Sequence, residues 1–187
     1  MDTSKIKHYF TQSILFTESE CNEILKFCTN LTDHSWSVTL DGKYTESGCS
    51  LKHQSMNDFY SKDTKWFYDR IMEWASNTLG IIWKNPPYSS FRKYNIGDYF
   101  IKHTDNVAKE GAPKRYFTMS IQLTDGKLYK GGDIIANDNF KFQKEIGNVL
   151  LWGANIPHEV TQLKSGERSS LIFFTSSHHL DFKRKLL

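Results

Sequence analysis

The chain has 187 residues, of which 39% are hydrophobic and 14% aromatic, so it can bury a sizeable core without a second domain. Its 24 basic and 21 acidic side chains leave a small, dispersed charge of +3, which argues against a nucleic-acid-binding protein. No apolar stretch approaches membrane-spanning length, and Cys21, Cys28 and Cys49 form no disulfide framework. We therefore expect a cytoplasmic protein with free thiols and no membrane contact.

Two helices are predicted in the first half of the chain. Thr17-Glu18-Ser19-Glu20 has the form of a capping box, and apolar residues then follow at helical spacing, which predicts a helix over about 18–30. A longer helix is predicted from Asp58 to Leu79, where large apolar residues recur every three or four positions until Gly80. The segment between them is rich in Ser, Asp, Gly and Thr, and we expect a loop with one short strand.

After Pro86-Pro87 the pattern changes to short β-branched and aromatic runs separated by turn signals such as Asp125-Gly126 and Ser165-Gly166. Helices followed by an all-β half favour an α+β, mainly β architecture, a two-sheet jelly roll with the N-terminal helices buttressing one sheet. The predicted strands are 88–94, 99–103, 116–123, 132–136, 149–152, 158–163 and 169–175.

A possible metal site lies at the ends of these strands. His103 and Asp105 close one apolar run, and His158 follows another. Two imidazoles and one carboxylate are the set that binds one face of a non-haem Fe(II) ion and leaves the other positions open. Each histidine alone would more simply be interpreted as a hydrogen-bonded strand residue. The order of the two histidines together with Asp105 and Arg168 favours a metal site instead.

Arg168, ten residues after His158, strengthens this interpretation. Its forked, permanently charged guanidinium suits a dicarboxylate whose other end chelates iron. His178-His179 is a second candidate metal pair, but adjacent side chains on a strand point to opposite faces, so we expect a surface pair instead.

With these residues in this order, the sequence resembles the prolyl 4-hydroxylase branch of the Fe(II)/2-oxoglutarate-dependent dioxygenases. The resemblance covers roughly residues 90–175, and Tyr94 stands nine residues before the first metal histidine, as in that branch. The residues that carry it are Tyr94-x-x-Gly97, His103-x-Asp105, Arg115-x-x-Thr118-Met119, Gly131-Gly132, His158 and Arg168-x-Ser170. It implies a double-stranded β-helix fold.

The resemblance also implies roles for individual residues. Collagen-type members carry Lys at the position of Arg168, and Phe100 replaces an aromatic hydroxyl often found near the substrate, which puts the family's substrate contacts in doubt here. The implied iron ligands are His103, Asp105 and His158, the implied 2-oxoglutarate contacts are Arg168, Tyr94 and Ser170, and the implied substrate contact is Arg115. A surface position for Arg115 is the alternative.

The expected activity follows from the same resemblance. Residues 1–187 would form one dioxygenase domain, with a helical N-terminal segment (1–87) and a jelly-roll catalytic core (88–180). It would use Fe(2+), 2-oxoglutarate and O2, with ascorbate as an additional candidate cofactor, to hydroxylate an unactivated C–H bond. A prolyl residue of a protein or peptide, or free proline, is the favoured substrate.

Three other functions stay open. The same oxygenase chemistry could act on a nucleobase or another small molecule, although the small basic surplus makes nucleic acid an unfavoured partner. A non-catalytic, cupin-like metal-binding module would not need Arg168 and Ser170. An accessory protein with a dead site conflicts with the intact triad. The sequence decides neither the oligomeric state nor whether residues 33–58 form a lid.

Overall fold

The architecture comes from a computed structural model, which describes residues 9–29, 35–36, 39–40, 43–44, 51–56, 60–106 and 113–181. Cys49 and parts of the 33–58 segment lie outside these residues. The described helices are α1 (Glu18–Thr29) and α2 (Lys65–Leu79). The described strands are β1 (Phe10–Ile14), β2 (Ser35–Trp36), β3 (Thr39–Leu40), β4 (Lys43–Tyr44), β5 (Leu51–Met56), β6 (Tyr88–Tyr94), β7 (Phe100–His103), β8 (Arg115–Gln122), β9 (Ile134–Ala136), β10 (Phe140–Lys141), β11 (Asn148–Gly153), β12 (His158–Val160) and β13 (Arg168–Ser176).

Helix α1 begins at the predicted capping box. The Thr17 backbone N–H donates to Glu20 Oε2 at 2.8 Å, and the Glu20 N–H donates back to Thr17 Oγ1 at 3.3 Å. Both of these otherwise unpaired N–H groups are thereby satisfied. Cys21, Ile24 and Cys28 form its buried face.

Helix α2 is shorter than the sequence pattern predicted. It begins at Lys65, whereas the predicted start at Asp58 lies outside the described residues and 60–64 are not helical. The Ser61 backbone N–H donates to Thr64 Oγ1 at 2.9 Å, and such a local bond stabilises a turn instead of a helix. The helix ends as predicted at Gly80, which has φ 63° and donates its N–H to the Ser76 carbonyl.

The strands form a jelly roll with two main antiparallel sheets, which confirms the predicted α+β, mainly β fold. A seven-stranded sheet has the order β1-β11-β8-β13-β6-β5-β2, and a four-stranded sheet has the order β10-β9-β12-β7. Strands β3 and β4 pair as a separate hairpin. Neither of the two described helices is long and apolar enough to cross a membrane.

Alternate residues of the seven-stranded sheet point into two different parts of the protein interior. On β13, Leu171 and Phe173 face a hydrophobic core that also contains residues of both helices, so the helices buttress this sheet as predicted. Arg168, Ile172 and Phe174 point the other way, into a cleft between the two sheets. The period of two along a strand therefore separates the core from the cleft.

The strand predictions were correct in kind but incomplete. All seven predicted runs contain strands, although the run 158–163 stops at Val160, because Thr161 and Leu163 donate their N–H groups to the Asp133 and Asp98 carbonyls of loops. Strands β1 and β10 were not predicted, and the supposed loop between the helices holds β2 to β5. Strand β5 is held by pairing with β6, a partner distant in sequence.

Candidate metal and dicarboxylate site

The three residues of the predicted metal triad meet in the cleft. Strand β7 ends at His103 and strand β12 begins at His158, and the two residues are direct partners across the antiparallel pair. His103 Nε2 lies 3.7 Å from Asp105 Oδ1, and His158 Nε2 lies 3.5 Å from Asp105 Oδ2. One ligand atom from each residue lies within 4.8 Å of the others, a spacing that a single metal ion can bridge.

Both histidines are oriented for metal binding by the backbone. His103 Nδ1 lies 2.7 Å from the Ile101 carbonyl oxygen, and His158 Nδ1 lies 3.0 Å from that of Ile156. Because a carbonyl can only accept, Nδ1 carries the proton and Nε2 presents its lone pair toward Asp105. Burial and the neighbouring His158 lower the pKa of His103 to about 4, so the imidazole is in the neutral, ligating form at pH 7.

Asp105 is held by two donors from the seven-stranded sheet. Thr118 Oγ1 and Trp152 Nε1 both donate to its Oδ2, at 2.6 and 3.0 Å. Burial would raise the pKa of this carboxyl, but the nearby His158 and His103 and the Thr118 hydrogen bond outweigh it, so the pKa lies below its ordinary value. Asp105 is therefore an oriented carboxylate.

Arg168 lies in the same cleft and is 1% exposed. One terminal nitrogen donates to Gln122 Oε1 at 2.6 Å, and the guanidinium lies 5.0 Å from the ring centre of Tyr94, its partner across β6 and β13. Its Nε is buried, and among the described residues it has no hydrogen-bond partner. A buried cation with unused donors is costly unless an anion binds there.

The other two predicted cosubstrate residues also lie on the cleft side of the sheet. Tyr94 is buried and lines the cleft. Ser170 lies two positions after Arg168 on β13 and is fully buried, and its Oγ has no hydrogen-bond partner within the described part of the chain. Both side chains therefore lie on the same face of the sheet as Arg168, and their contact with 2-oxoglutarate stays a prediction.

Arg115 lies beside the triad instead of at the surface. It is half-buried at the start of β8, its guanidinium is 3.9 Å from the ring centre of Phe174, and it donates to the Asp105 backbone carbonyl at 3.4 Å. A register irregularity of β13 between Thr175 and Ser176 lies next to this position, since Ser176 is the partner of Arg115.

Sequence reasoning missed several residues of the site. Thr118 and Trp152 hold Asp105, Gln122 holds Arg168, and Arg92 lines the cleft. One signal was available: in Thr118-Met119-Ser120-Ile121-Gln122 polar and apolar residues alternate strictly, which indicates a strand with one polar face. Trp152 also belongs to the hydrophobic cluster beside the cleft.

The His178-His179 pair is not the surface pair that was predicted. His178 is exposed, but His179 is buried in a turn after β13, where its Nδ1 accepts hydrogen bonds from the Ser176 N–H and hydroxyl at 2.9 and 3.0 Å. The pair lies in a turn and not on a strand, so the rule of alternating faces did not apply.

Comparison with known proteins agrees with this geometry. Residues 89–176 match the family model of the 2OG-Fe(II) oxygenase superfamily. A PKHD-type hydroxylase of Shewanella oneidensis is 28% identical over 93 residues, which are 46% of this chain and 42% of that protein. The chain thus spans less than half the length of this relative.

Two solved structures share the fold over nearly the whole chain. A Pseudomonas putida prolyl-4-hydroxylase has a TM-score of 0.69 at 16% identity and covers 93% of this chain and 96% of its own. A Trichoplax adhaerens prolyl hydroxylase in complex with a hypoxia inducible factor peptide has a TM-score of 0.68 at 15% identity, covering 93% and 87%. The resemblance found in the sequence is therefore confirmed: residues 89–176 match the family model of the 2OG-Fe(II) oxygenase superfamily, and the chain shares the double-stranded β-helix fold of these structures.

Proposed function

We propose that the protein is an Fe(II)- and 2-oxoglutarate-dependent dioxygenase that hydroxylates an unactivated C–H bond. The observation that carries the proposal is the joint placement in one cleft of the His103, Asp105 and His158 ligand atoms and the buried guanidinium of Arg168. A metal-binding module without turnover would need the three ligand residues but not the buried guanidinium of Arg168.

The cleft residues fit both groups. The two Nε2 atoms and the Asp105 carboxylate would hold iron, with Thr118 and Trp152 fixing the carboxylate. The distal carboxylate of 2-oxoglutarate would accept hydrogen bonds from Arg168, with Tyr94 and Ser170 beside it, which supplies the partners that Arg168 Nε and Ser170 Oγ lack within the described residues. Iron and 2-oxoglutarate together supply the oxidising chemistry, in which O2 is divided between succinate and the hydroxylated product and carbon dioxide is released.

The protein itself would position the reacting groups and exclude water from the cleft. Ile134, Val160 and Ile172 line the walls of the cleft, and these apolar side chains help to keep water out of it. Arg115 is the proposed substrate contact at its edge. Ascorbate, as a reductant of over-oxidised iron, belongs to the same proposal.

A prolyl residue of a peptide or free proline is the first substrate to test. The solved structures of similar fold include prolyl hydroxylases, one of them with a peptide bound, and the curated relatives are PKHD-type hydroxylases. Residues 1–187 would act as one catalytic domain, because helices of the N-terminal half share a core with strands of the β-rich half. A reducing, cytoplasmic setting is supported by the free Cys21 and Cys28.

The decisive experiment measures succinate release from 2-oxoglutarate by the iron-loaded protein in the presence of prolyl peptides, free amino acids or oligonucleotides. We expect one prolyl substrate to stimulate succinate release and to gain the mass of one oxygen atom. His158→Ala should be inactive with every compound, since the iron would be lost.

Two results would overturn the proposal or its substrate. Binding of metal and 2-oxoglutarate without turnover on any compound would identify a binding module. Modification of an oligonucleotide but of no prolyl compound would replace the prolyl substrate with a nucleobase.

A further inference from the structure

A continuous row of stacked rings and guanidiniums encloses one side of the metal triad. Phe100 stacks on His103 with ring centres 4.0 Å apart. The Arg92 guanidinium lies 5.1 Å from the ring centre of Phe100 and 5.8 Å from that of Phe174, and Arg115 lies 3.9 Å from Phe174. We call Phe100, Arg92, Phe174 and Arg115 the cationic rim.

The rim is directed toward the cleft. Arg92 and Phe174 both line it, and Arg115 reaches the Asp105 backbone carbonyl. Arg92 lies two residues before Tyr94 on β6, so the two side chains share the cleft face of the strand.

The two rim guanidiniums have no carboxylate partner among the described residues. Arg92 Nε is buried without a hydrogen-bond partner in that part of the chain, and Arg115 has only the 3.4 Å contact with a backbone carbonyl. Stacking on aromatic rings stabilises these half-buried guanidiniums, but it supplies no opposite charge and leaves Arg92 Nε without an acceptor, which costs free energy. An anion at the rim would offset that cost.

Iron and 2-oxoglutarate do not supply this anion. The two positive charges of iron(II) are matched by the two carboxylates of 2-oxoglutarate, so their sum adds nothing to the cleft. Among the described residues of the cleft and the rim, three cations, Arg92, Arg115 and Arg168, then remain against one carboxylate, that of Asp105. The distal carboxylate of 2-oxoglutarate is already assigned to Arg168, and the surplus positive charge therefore lies at the rim.

We infer that the substrate of this protein carries a carboxylate, which is bound at the cationic rim by Arg92 together with Arg115 while the carbon to be oxidised faces the triad. This inference rests on the proposed function and narrows its substrate class. It favours a molecule with a free carboxylate beside the reacting carbon over an internal, neutral prolyl residue.

The test uses matched pairs that differ only in charge: N-acetyl-L-proline with N-acetyl-L-prolinamide, and cyclopentanecarboxylate with cyclopentanecarboxamide. Each compound is titrated by calorimetry into protein loaded with Zn²⁺, which supports binding without turnover, and saturated with 2-oxoglutarate. We expect at least one carboxylate to bind about tenfold tighter than its carboxamide, a difference of about 1.4 kcal/mol. In Arg92→Gln and Arg115→Gln the preference should shrink to below about threefold, because the cation that recognises the charge is removed.

Lys93→Gln is the matched control. Lys93 neighbours Arg92 on β6, and its ammonium forms an ion pair with Glu167 at 2.6 Å, so the substitution removes the same charge from outside the rim. It should keep the full preference for the carboxylate. Circular dichroism of every variant checks that the fold is retained.

Several outcomes would overturn the inference. In the unmodified protein, these are the absence of binding by either carboxylate, or a carboxylate preference below about fivefold. Displacement of 2-oxoglutarate by the carboxylates would also contradict it. So would a carboxylate preference that survives in the Arg92→Gln, Arg115→Gln double variant. The 2-oxoglutarate site on which the inference rests is tested separately by a titration of 2-oxoglutarate alone into the metal-loaded protein, and the proposed activity is tested by the succinate measurement. If that binding is seen and the carboxylate preference is not, only the rim inference fails.

Discussion

At the scale of single residues, Asp105 connects the two sheets at the site. Its side chain is held by Thr118 and Trp152 of the seven-stranded sheet, while both histidines that face it come from the four-stranded sheet. The ligand geometry therefore depends on how the sheets pack, and each side chain has a separate, testable task.

The first expectation concerns the metal ligands. His103→Ala or Asp105→Ala should lower iron affinity by more than the 10–100-fold typical of a lost outer-shell partner, since each removes a ligand atom itself. The fold should survive, because the hydrophobic core between helices and sheet does not include the triad. Metal content and near-UV circular dichroism check both statements, with the exposed His178→Ala as control. Full metal occupancy in both variants would remove the metal assignment.

The second expectation concerns Arg168. At a hundredfold excess over its dissociation constant, 2-oxoglutarate should stabilise the metal-loaded protein by about 2.7 kcal/mol, visible as a higher melting temperature. Arg168→Ala should lose most of this shift, and Arg168→Lys should lose part of it, because an ammonium cannot reproduce the forked hydrogen bonds. A 2-oxoglutarate shift that is unchanged in Arg168→Ala would show that the anchor lies elsewhere.

At the scale of elements, the turns after the strands carry specific constraints. The turn that follows β13 buries His179 against Tyr88, whose ring centre is 4.6 Å away, and the turn before β11 brings Gly147 against the start of α1. Both turns join parts of the chain that are far apart in sequence.

The third expectation follows from the turn at His179. Burial, and after it the neighbouring His178, lowers the pKa of His179 from 6.5 to about 4. Between these pH values the unfolded chain binds a proton at this position that the folded protein does not, so stability is complete above about pH 6.5 and falls as the pH drops toward 4. The difference between the melting temperatures at pH 7 and pH 5 should be smaller in His179→Asn than in the unmodified protein. Each kcal/mol of stability that His179 loses between these pH values corresponds to about 2–4 °C of melting temperature.

The exposed His178→Gln is the control for this experiment and should keep the original pH dependence. An equal loss of stability at pH 5 in His179→Asn would show that other groups cause the acid sensitivity.

The fourth expectation compares two glycines with positive φ. Gly147 has φ 77°, and a Cβ built there would overlap the Phe16 carbonyl group, whereas Gly97 has φ 96° with nothing within 4 Å. Gly97→Ala should cost about 1–2 kcal/mol, the strain of a left-handed backbone alone. Gly147→Ala should cost about 3 kcal/mol or more, because the backbone must also move. Chemical unfolding of both variants measures the difference, and equal costs would refute the clash.

At the scale of the whole molecule, the two faces of β13 have different roles: one packs in the hydrophobic core, and the other lines the cleft of the candidate site. Its residues alternate between the core shared with the helices and the cleft shared with the four-stranded sheet. Substitutions one residue apart should therefore affect different properties of the protein.

The fifth expectation tests this division. Phe173 is fully buried, with its ring centre 5.1 Å from that of Tyr68 on α2. Phe173→Leu should lower the free energy of unfolding by about 1–3 kcal/mol through lost packing and the lost aromatic pair, with metal affinity unchanged. Ile172→Val, on the cleft face, should cost only about 0.5–1.5 kcal/mol but alter 2-oxoglutarate binding. Denaturant unfolding and ligand titration on both variants separate the two effects, and a parallel loss of metal affinity in Phe173→Leu would contradict the division.

By itself the sequence determined the local features of this protein. The capping box at Thr17, the end of α2 at Gly80 and the period of two in β6, β8 and β13 depend on residues close together in the chain, so they could be predicted. The order of His103, Asp105, His158 and Arg168 indicated both the metal chemistry and the family. The start of α2 was missed, because a side-chain bond within 61–64 competes with the helix.

Only the tertiary structure decided which distant residues meet. His103 faces His158 because of the register between β7 and β12, and Trp152 and Gln122 reach Asp105 and Arg168 from strands whose partners no local pattern reveals. The cationic rim joins Arg92, Phe100, Arg115 and Phe174 from four separate strands. Register and sheet packing are set by the burial of the whole core, a property that short sequence windows do not contain.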